Sequence, residues 1–174
     1  GPRINAGGRV GKSTHGANLL INKNPKDVFK LASELDIFNK ERQLLEKEVL
    51  DKILFKLGNK IHDPVIIIDG KGWHEGVIGI VASRIKDKFN KPVIIITVNE
   101  EGVGKASARS IVGFDIGSAI ISATHEKILI KGGGHKMAGG FSIAVENIER
   151  FKNFIFKRFK KKNIESSKYK SLYL

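Results

Sequence analysis

Val65-Ile66-Ile67-Ile68-Asp69-Gly70 is the stretch that decides the fold. Four apolar residues in a row, closed by a turn signal, mark a strand buried on both faces. After Trp73-His74-Glu75-Gly76 the period changes. Val77, Ile80, Val81, Ile85 and Phe89 recur at helical spacing, and Pro92 then opens a second apolar run, Val93-Ile94-Ile95-Ile96-Thr97-Val98. Strand, helix and strand within about 35 residues form a βαβ unit, in which the two strands lie parallel. The fold class expected is therefore α/β.

Working toward the C-terminus, Asn99-Glu100-Glu101-Gly102 reads as a hairpin turn and Val103 to Ser110 as a return strand. That makes the sheet mixed and only partly parallel. Asp115 is placed to cap a helix through about Thr124. Strands are expected at Ile128–Ile130 and Phe141–Val145, on either side of a glycine-rich turn. Asn147 is expected to cap a last helix, with Ile148, Phe151, Phe154, Ile155 and Phe159 docked on the sheet and a basic opposite face. The residues after Lys162 read as a polar tail.

Toward the N-terminus, Asn24-Pro25 reads as N-cap and first helical residue. One helix is expected with Val28, Leu31, Ala32 and Leu35 on a face. A second, from about Asp36 to Leu57, ends at Gly58-Asn59. At ~1.5 Å per residue it spans ~30 Å, the length of a connector between two bodies. Residues 1–24, rich in Gly, Asn and Arg, read as a loop, with a short helix at Ala17–Ile21. The flanked sheet is thus preceded by a long connector helix. The expected divisions are 1–24 (arginine–glycine loop), 25–60 (connector), 61–163 (α/β domain) and 164–174 (tail).

Composition narrows the partners. The 174 residues carry 31 Lys+Arg against 18 Asp+Glu, a net charge of +13, which suits a polyanion. Cysteine is absent, which excludes disulfides and thiolate metal sites. No apolar run approaches the ~18–20 residues of a membrane span, and no signal-peptide layout opens the chain. A cytoplasmic, membrane-free protein is expected. The chain has no initiator methionine, Gly1-Pro2 has the form of a cleavage scar, and Ser171-Leu172-Tyr173-Leu174 breaks off in apolar sequence. An excised fragment is expected.

Three places carry candidate chemistry. In Lys131-Gly132-Gly133-Gly134-His135-Lys136-Met137-Ala138-Gly139-Gly140, five glycines fall within nine residues. Such a turn either cradles a phosphate on exposed N–H groups, with Gly132, Gly133, Gly134 and His135 at its centre, or simply joins two strands. In Gly104-Lys105-Ala106-Ser107-Ala108-Arg109-Ser110, strand alternation puts Lys105, Ser107 and Arg109 on one face. That row is either a phosphate track, with Arg109 bidentate, or a solvent-facing edge. Trp73 either stacks on a base or fills the core, and His74 contacts phosphate, acts as an acid or caps the helix behind it. No HExxH, GxSxG or P-loop occurs. The aspartates are scattered, with only His62-Asp63 pairing one with a histidine, so no two-metal ligand set is visible. The residues alone describe a phosphate- or nucleic-acid-binding α/β module.

Four ordered motifs resemble a known family. The segment Gly1-Pro2-Arg3-Ile4-Asn5-Ala6-Gly7-Gly8-Arg9-Val10-Gly11 resembles the end of the catalytic domain of RecJ-type single-strand-specific exonucleases. Gly72-Trp73-His74-Glu75-Gly76-Val77-Ile78-Gly79-Ile80-Val81-Ala82-Ser83-Arg84, Ser107-Ala108-Arg109-Ser110 and Gly132–Gly140 resemble three motifs of their DHH-associated domain. Asn39-Lys40-Glu41-Arg42 resembles their inter-domain connector. The resemblance implies a 5′→3′ exonuclease on single-stranded DNA, used in recombination and repair and dependent on manganese or magnesium. No Asp-His-His occurs in this chain. By the resemblance the metals belong to a catalytic domain upstream, an oligonucleotide-binding barrel follows downstream, and this fragment is not catalytic alone. Arg9, Ser107 and Arg109 are then placed for the terminal phosphate, and His135 serves as a supporting catalytic group facing the metals. Gly8 stands where the family more often has alanine, a departure that loosens the loop but leaves Arg9 in place. Two alternatives stay open: a non-enzymatic nucleic-acid-binding module, and a related oligonucleotide or cyclic-dinucleotide phosphodiesterase.

Overall fold

The computed structural model describes residues 2–11 and 14–171, with side chains through residue 162. The expectations for Gly1 and for Leu172–Leu174 lie outside the described residues. Three helices, α1 (Pro2–Val10), α2 (Thr14–Ile21) and α3 (Pro25–Leu57), precede a five-stranded sheet. Its strands are β1 (Ile66–Lys71), β2 (Val93–Val98), β3 (Val103–Arg109), β4 (Lys131–His135) and β5 (Ala138–Ala144). The helix α4 (Glu75–Phe89) joins β1 to β2, α5 (Ile116–His125) joins β3 to β4, and α6 (Ile148–Ser171) follows β5. The spatial order is β1-β2-β3-β5-β4. The β1–β2 pair is parallel and every other pair antiparallel, the mixed sheet expected from the sequence.

The apolar runs are continuous because both sheet faces are covered. Ile66, Ile68 and Ile95 point toward α3 and α4, where they meet Ile53, Val77 and Val81. Ile67, Ile94 and Ile96 point the other way, into a core shared with Ile120 of α5 and Phe151 and Ile155 of α6. Each buried isoleucine contributes roughly 1.5–3 kcal/mol. Among the described residues, no helix is long and apolar enough to cross a membrane.

Five expectations are corrected. Residues 2–10 are helical rather than a loop. Pro2 occupies the first turn, and Ala6 and Gly7 are buried in the helical layer. Packing on α3 overrides the poor helix propensity of glycine. Second, the two helices after Pro25 are one helix of 33 residues, about 50 Å long. Its buried stripe runs Leu35, Asn39, Arg42, Glu46, Val49, Ile53, Leu57. Three of those positions are polar, which interrupts the apolar pattern without interrupting the helix. Glu46 is buried between Arg42 and Arg84, so the stripe is closed by ion pairs to its own turn and to α4. The caps are as expected: Asn24 Oδ1 accepts from Lys26 N, and Gly58 ends the helix at φ 42°.

Third, Ile128–Ile130 is not a strand. The amides of Ile128 and Leu129 donate to the Ala123 carbonyl and close α5, and the sheet resumes at Lys131. The glycine stretch is therefore itself a hairpin of β4 and β5 around Lys136-Met137. Fourth, β3 is the central strand, which removes the solvent-facing edge from the two readings of Lys105, Ser107 and Arg109. Fifth, Asn147 does not cap the last helix. It ends a 3-10 turn, Val145–Asn147, that runs straight into α6, and α6 continues past Lys162 to Ser171 where a tail was expected.

Candidate nucleic-acid interface

Arg109 stands at the end of β3, half buried against α4. Its Nε donates to Ser83 Oγ at 3.1 Å, and its Nη1 donates to Ser107 Oγ at 3.0 Å and to the Ala108 carbonyl at 2.8 Å. Gly79 makes the room. A Cβ there would lie 2.9 Å from Arg109 Nη2 and 3.0 Å from Ser107 Oγ. The fork is thus oriented by the small face of α4, Gly76, Gly79 and Ser83, one turn apart from each other.

Arg9 reaches the same place from α1. Its Nη1 donates to the Gly76 carbonyl at 3.3 Å. Its own carbonyl sits so close over Gly76 that any Cβ there would collide with it. Burial, and then the charge of Arg9, hold the Arg109 guanidinium below its ordinary proton affinity. Among the described residues no carboxylate pairs with either arginine. Two like charges held together without a counter-ion raise each other's cost, and an anion between them relieves it.

The strand register extends this anchor into a platform. Lys105 is opposite Ser142, which is opposite Lys131. Ser107 is opposite Gly140, which is opposite Gly133. Arg109 is opposite Ala138, which is opposite His135. All nine share the sheet face that carries α4. The outer rows lie two strand spacings apart, about 10 Å. An open groove of about 620 Å³ runs over this surface, between Lys105, Ser107 and Glu75 on one side and Lys131 on the other. Lys105 is paired with Glu75 at 2.8 Å, and both side chains are more than half exposed.

The glycines do two different jobs. Gly132 and Gly139 face α5, where a Cβ would run into Ile120. Gly133, opposite Gly140 in the register, shares the face of Lys105 and Ser107, and a Cβ there would meet nothing within 4 Å. Gly134 lies against the backbone of Ala138 and Gly139, so the hairpin closes tightly. Of the sequence candidates, Arg9, Ser107 and Arg109 come together, and Lys105, Gly133 and His135 share their face. Gly132 and Gly134 support the hairpin from behind. His135 Nδ1 accepts from Met137 N at 3.3 Å.

Trp73 and His74 both take part in the local packing and capping at the start of α4. Trp73 is 7% exposed, its indole laid over Gly70, and its carbonyl accepts from Thr97 Oγ1. His74 caps α4, with Nδ1 accepting from Gly76 N at 3.0 Å. Sequence reading missed Gly76, Gly79 and Ser83. Their spacing along one helix face was the available signal. Among the described residues no three His, Asp or Glu side chains converge on a point, so the donor set does not fit a metal centre.

The mixed α/β sheet carries, on one face, two arginines without a carboxylate partner among the described residues and an open groove flanked by Lys105 and Lys131. The chain belongs to the DHHA1 domain family, whose model matches residues 35–161. It is similar to the single-stranded-DNA-specific exonuclease RecJ of Bacillus subtilis, 36% identical over 149 residues, which are 84% of this chain and 19% of that protein. The enzyme of the same name from Escherichia coli is 35% identical over 159 residues, 87% of this chain and 27% of that one. RecJ of Thermus thermophilus, solved with Mn2+, superposes with a TM-score of 0.81 at 32% identity, over 92% of this chain and 23% of that one. The chain thus spans less than a third of the length of these relatives.

Proposed function

We propose that this chain is the substrate-binding portion of a RecJ-like 5′→3′ exonuclease on single-stranded DNA, with the metal-bearing catalytic residues supplied by another part of the protein. The Arg9–Arg109 pair carries the reading. Two guanidinium groups and the Ser107 hydroxyl offer a doubly charged 5′-phosphate more charge-assisted donors than an internal phosphodiester can use. The strand beyond the terminal phosphate then lies on the glycine floor between Lys105 and Lys131. There Gly133 admits the backbone closely, and Lys105 exchanges Glu75 for phosphate. His135 closes the far side of the platform.

RecJ of T. thermophilus has been solved with Mn2+ and with Mg2+. In this proposal the metal ligands come from another part of the protein, and Arg9, Ser107 and Arg109 only hold and orient the strand. The test is fluorescence anisotropy with single-stranded oligonucleotides bearing a 5′-phosphate or a 5′-hydroxyl. Preference for the phosphate that vanishes in Arg109→Ala supports the reading, and equal affinity for both ends in the unmodified chain overturns it. Robust manganese-dependent degradation by this chain alone overturns the assignment of catalysis to another part of the protein.

A further inference from the structure

A second cationic surface lies on the opposite face of the sheet from Arg109. There α6 runs antiparallel to α5, with Arg150 beside Glu126 at the end of α5 and Phe159 against Phe114 before its start. Between α6 and the end of α5 lies an open groove of about 880 Å³. Its walls include Arg150, Lys157, Arg158 and Lys161, and its apolar floor includes Phe154. From Arg150 to Lys161 the row covers about 17 Å of helix.

Two features separate this surface from an ordinary solvated lysine face. The Arg150 Nη2 donates only to the Glu126 backbone carbonyl, and no carboxylate among the described residues pairs with Lys157 or Arg158. The Arg158 guanidinium lies 5.3 Å from the centre of the Phe154 ring, a flat cationic platform of the kind on which unpaired bases stack. The groove also runs toward the first site. Lys162 follows Phe159 by one turn, and the Lys136 carbonyl accepts from Ile116 N, so both lysines stand near Asp115. The Asp115 carboxyl is held below the usual range first by the Ser118 amide and further by the charges of Lys136 and Lys162. Ser110, next to Arg109, donates from its amide to the carbonyl of Met137 in that same hairpin turn.

We infer that the α6 groove is a second binding surface for single-stranded nucleic acid, distinct from the sheet face that carries Arg109. The cations neutralise phosphates, and the Arg158–Phe154 platform takes an unpaired base. This surface is built from the α6 face alone and does not depend on where a terminal phosphate is held.

The experiment compares 5′-phosphorylated oligothymidylates of six and thirty nucleotides, by anisotropy across a salt series, on three proteins. They are the unmodified chain, Arg109→Ala, and the combined variant R150Q/K157Q/R158Q/K161Q. The combined variant should bind the 30-mer at least ten-fold more weakly and the 6-mer unchanged. Its log–log salt slope on the 30-mer should fall by about 3, four contacts at ~0.7 each. An unchanged 30-mer affinity and slope overturns the inference. So does loss of affinity for phosphatidylserine vesicles with the oligonucleotide unaffected, which would make the face a membrane contact. Failure of the chain to bind the 30-mer at all also overturns it. If Arg109→Ala binds normally while the combined variant does not, the terminal-phosphate reading fails and this one stands. Acetylation footprinting on the unmodified chain guards against a folding artefact. The 30-mer, and not the 6-mer, should protect Lys157 and Lys161 from acetic anhydride, and equal labelling with and without the 30-mer counts against the surface.

Discussion

Arg9 and Arg109 are both held by one helix that neither belongs to: Arg9 donates to the carbonyl of Gly76 and Arg109 to the hydroxyl of Ser83. The two guanidinium groups come from residues a hundred positions apart, and α4 is the jig that sets them. No described carboxylate neutralises them, so under the proposed function an anion would meet donors that are already oriented.

Replacing Arg109 tests the anchor directly. A hydrogen bond to a charged group contributes roughly 1.5–3 kcal/mol, so Arg109→Ala should weaken binding of a 5′-phosphorylated strand by about 10- to 100-fold. Arg109→Lys keeps the charge but loses the planar fork, so it should recover only part of the affinity. Anisotropy titrations on the two variants measure both effects.

The jig itself is testable at Gly76. A methyl group there collides with the Arg9 carbonyl, so Gly76→Ala should push α1 from α4 while leaving the sheet intact. Overpacking of this kind costs roughly 1–3 kcal/mol. The expected outcome is a lower urea midpoint together with loss of 5′-phosphate preference, approaching that of Arg9→Ala. A variant with native phosphate preference would detach Arg9 from the site.

Much of the sheet was legible because apolar runs and turn residues are local signals. Val93–Val98 and the Asn99–Gly102 turn lie where the pattern put them, and the first strand does too, except that it runs on through Asp69-Gly70 to Lys71. The N-terminal helix was not legible, because its stability comes from Ala6 and Gly7 packing in the helical layer, a contact that glycine-rich sequence conceals. The strand at Lys131–His135 was not legible either. A glycine run has no strand propensity, and it is extended here because α5 approaches so closely that only glycine fits beneath Ile120. Within the site, Lys105, Ser107 and Arg109 could be read from alternation. The contribution of α4 shows in the sequence only as small residues spaced along one helix face, which look like packing until the partner arginines are in place.

The two glycine roles separate by mutation. Gly133→Val adds a branched side chain on the face of Lys105 and Ser107 and favours strand backbone, so the chain should melt normally and bind single-stranded DNA more weakly. Gly132→Ala, one residue away, meets Ile120 and the Phe141 Cβ and should lose roughly 1–3 kcal/mol of stability. Equal behaviour of the two variants in thermal melts would refute the assignment of faces.

Glu46 tests what holds α3 to α4. It is 1% exposed and contacts both Arg42 and Arg84. Removing one partner of a buried pair leaves the other charge uncompensated, so Glu46→Ala should cost roughly 3–5 kcal/mol in urea unfolding. Arg84→Ala, whose side chain is more than half exposed, should cost much less.

Asp115 gives a pH-dependent prediction whose sign follows from its hydrogen bond. Asp115 Oδ1 accepts from Ser118 N at 2.9 Å and caps α5, which lowers the carboxyl pKa in the folded chain. A depressed folded pKa means the cap stabilises the fold above the unfolded value of about 3.9 and is lost as pH falls through the folded one. At neutral pH, Asp115→Ala should cost about 1 kcal/mol, and Asp115→Asn, which keeps an acceptor, a few tenths. The gap between the unmodified chain and Asp115→Ala, read from urea unfolding at pH 7 and again near pH 3, should narrow at the lower pH. A gap that stays constant or widens would show that the carboxylate charge has no part in the cap.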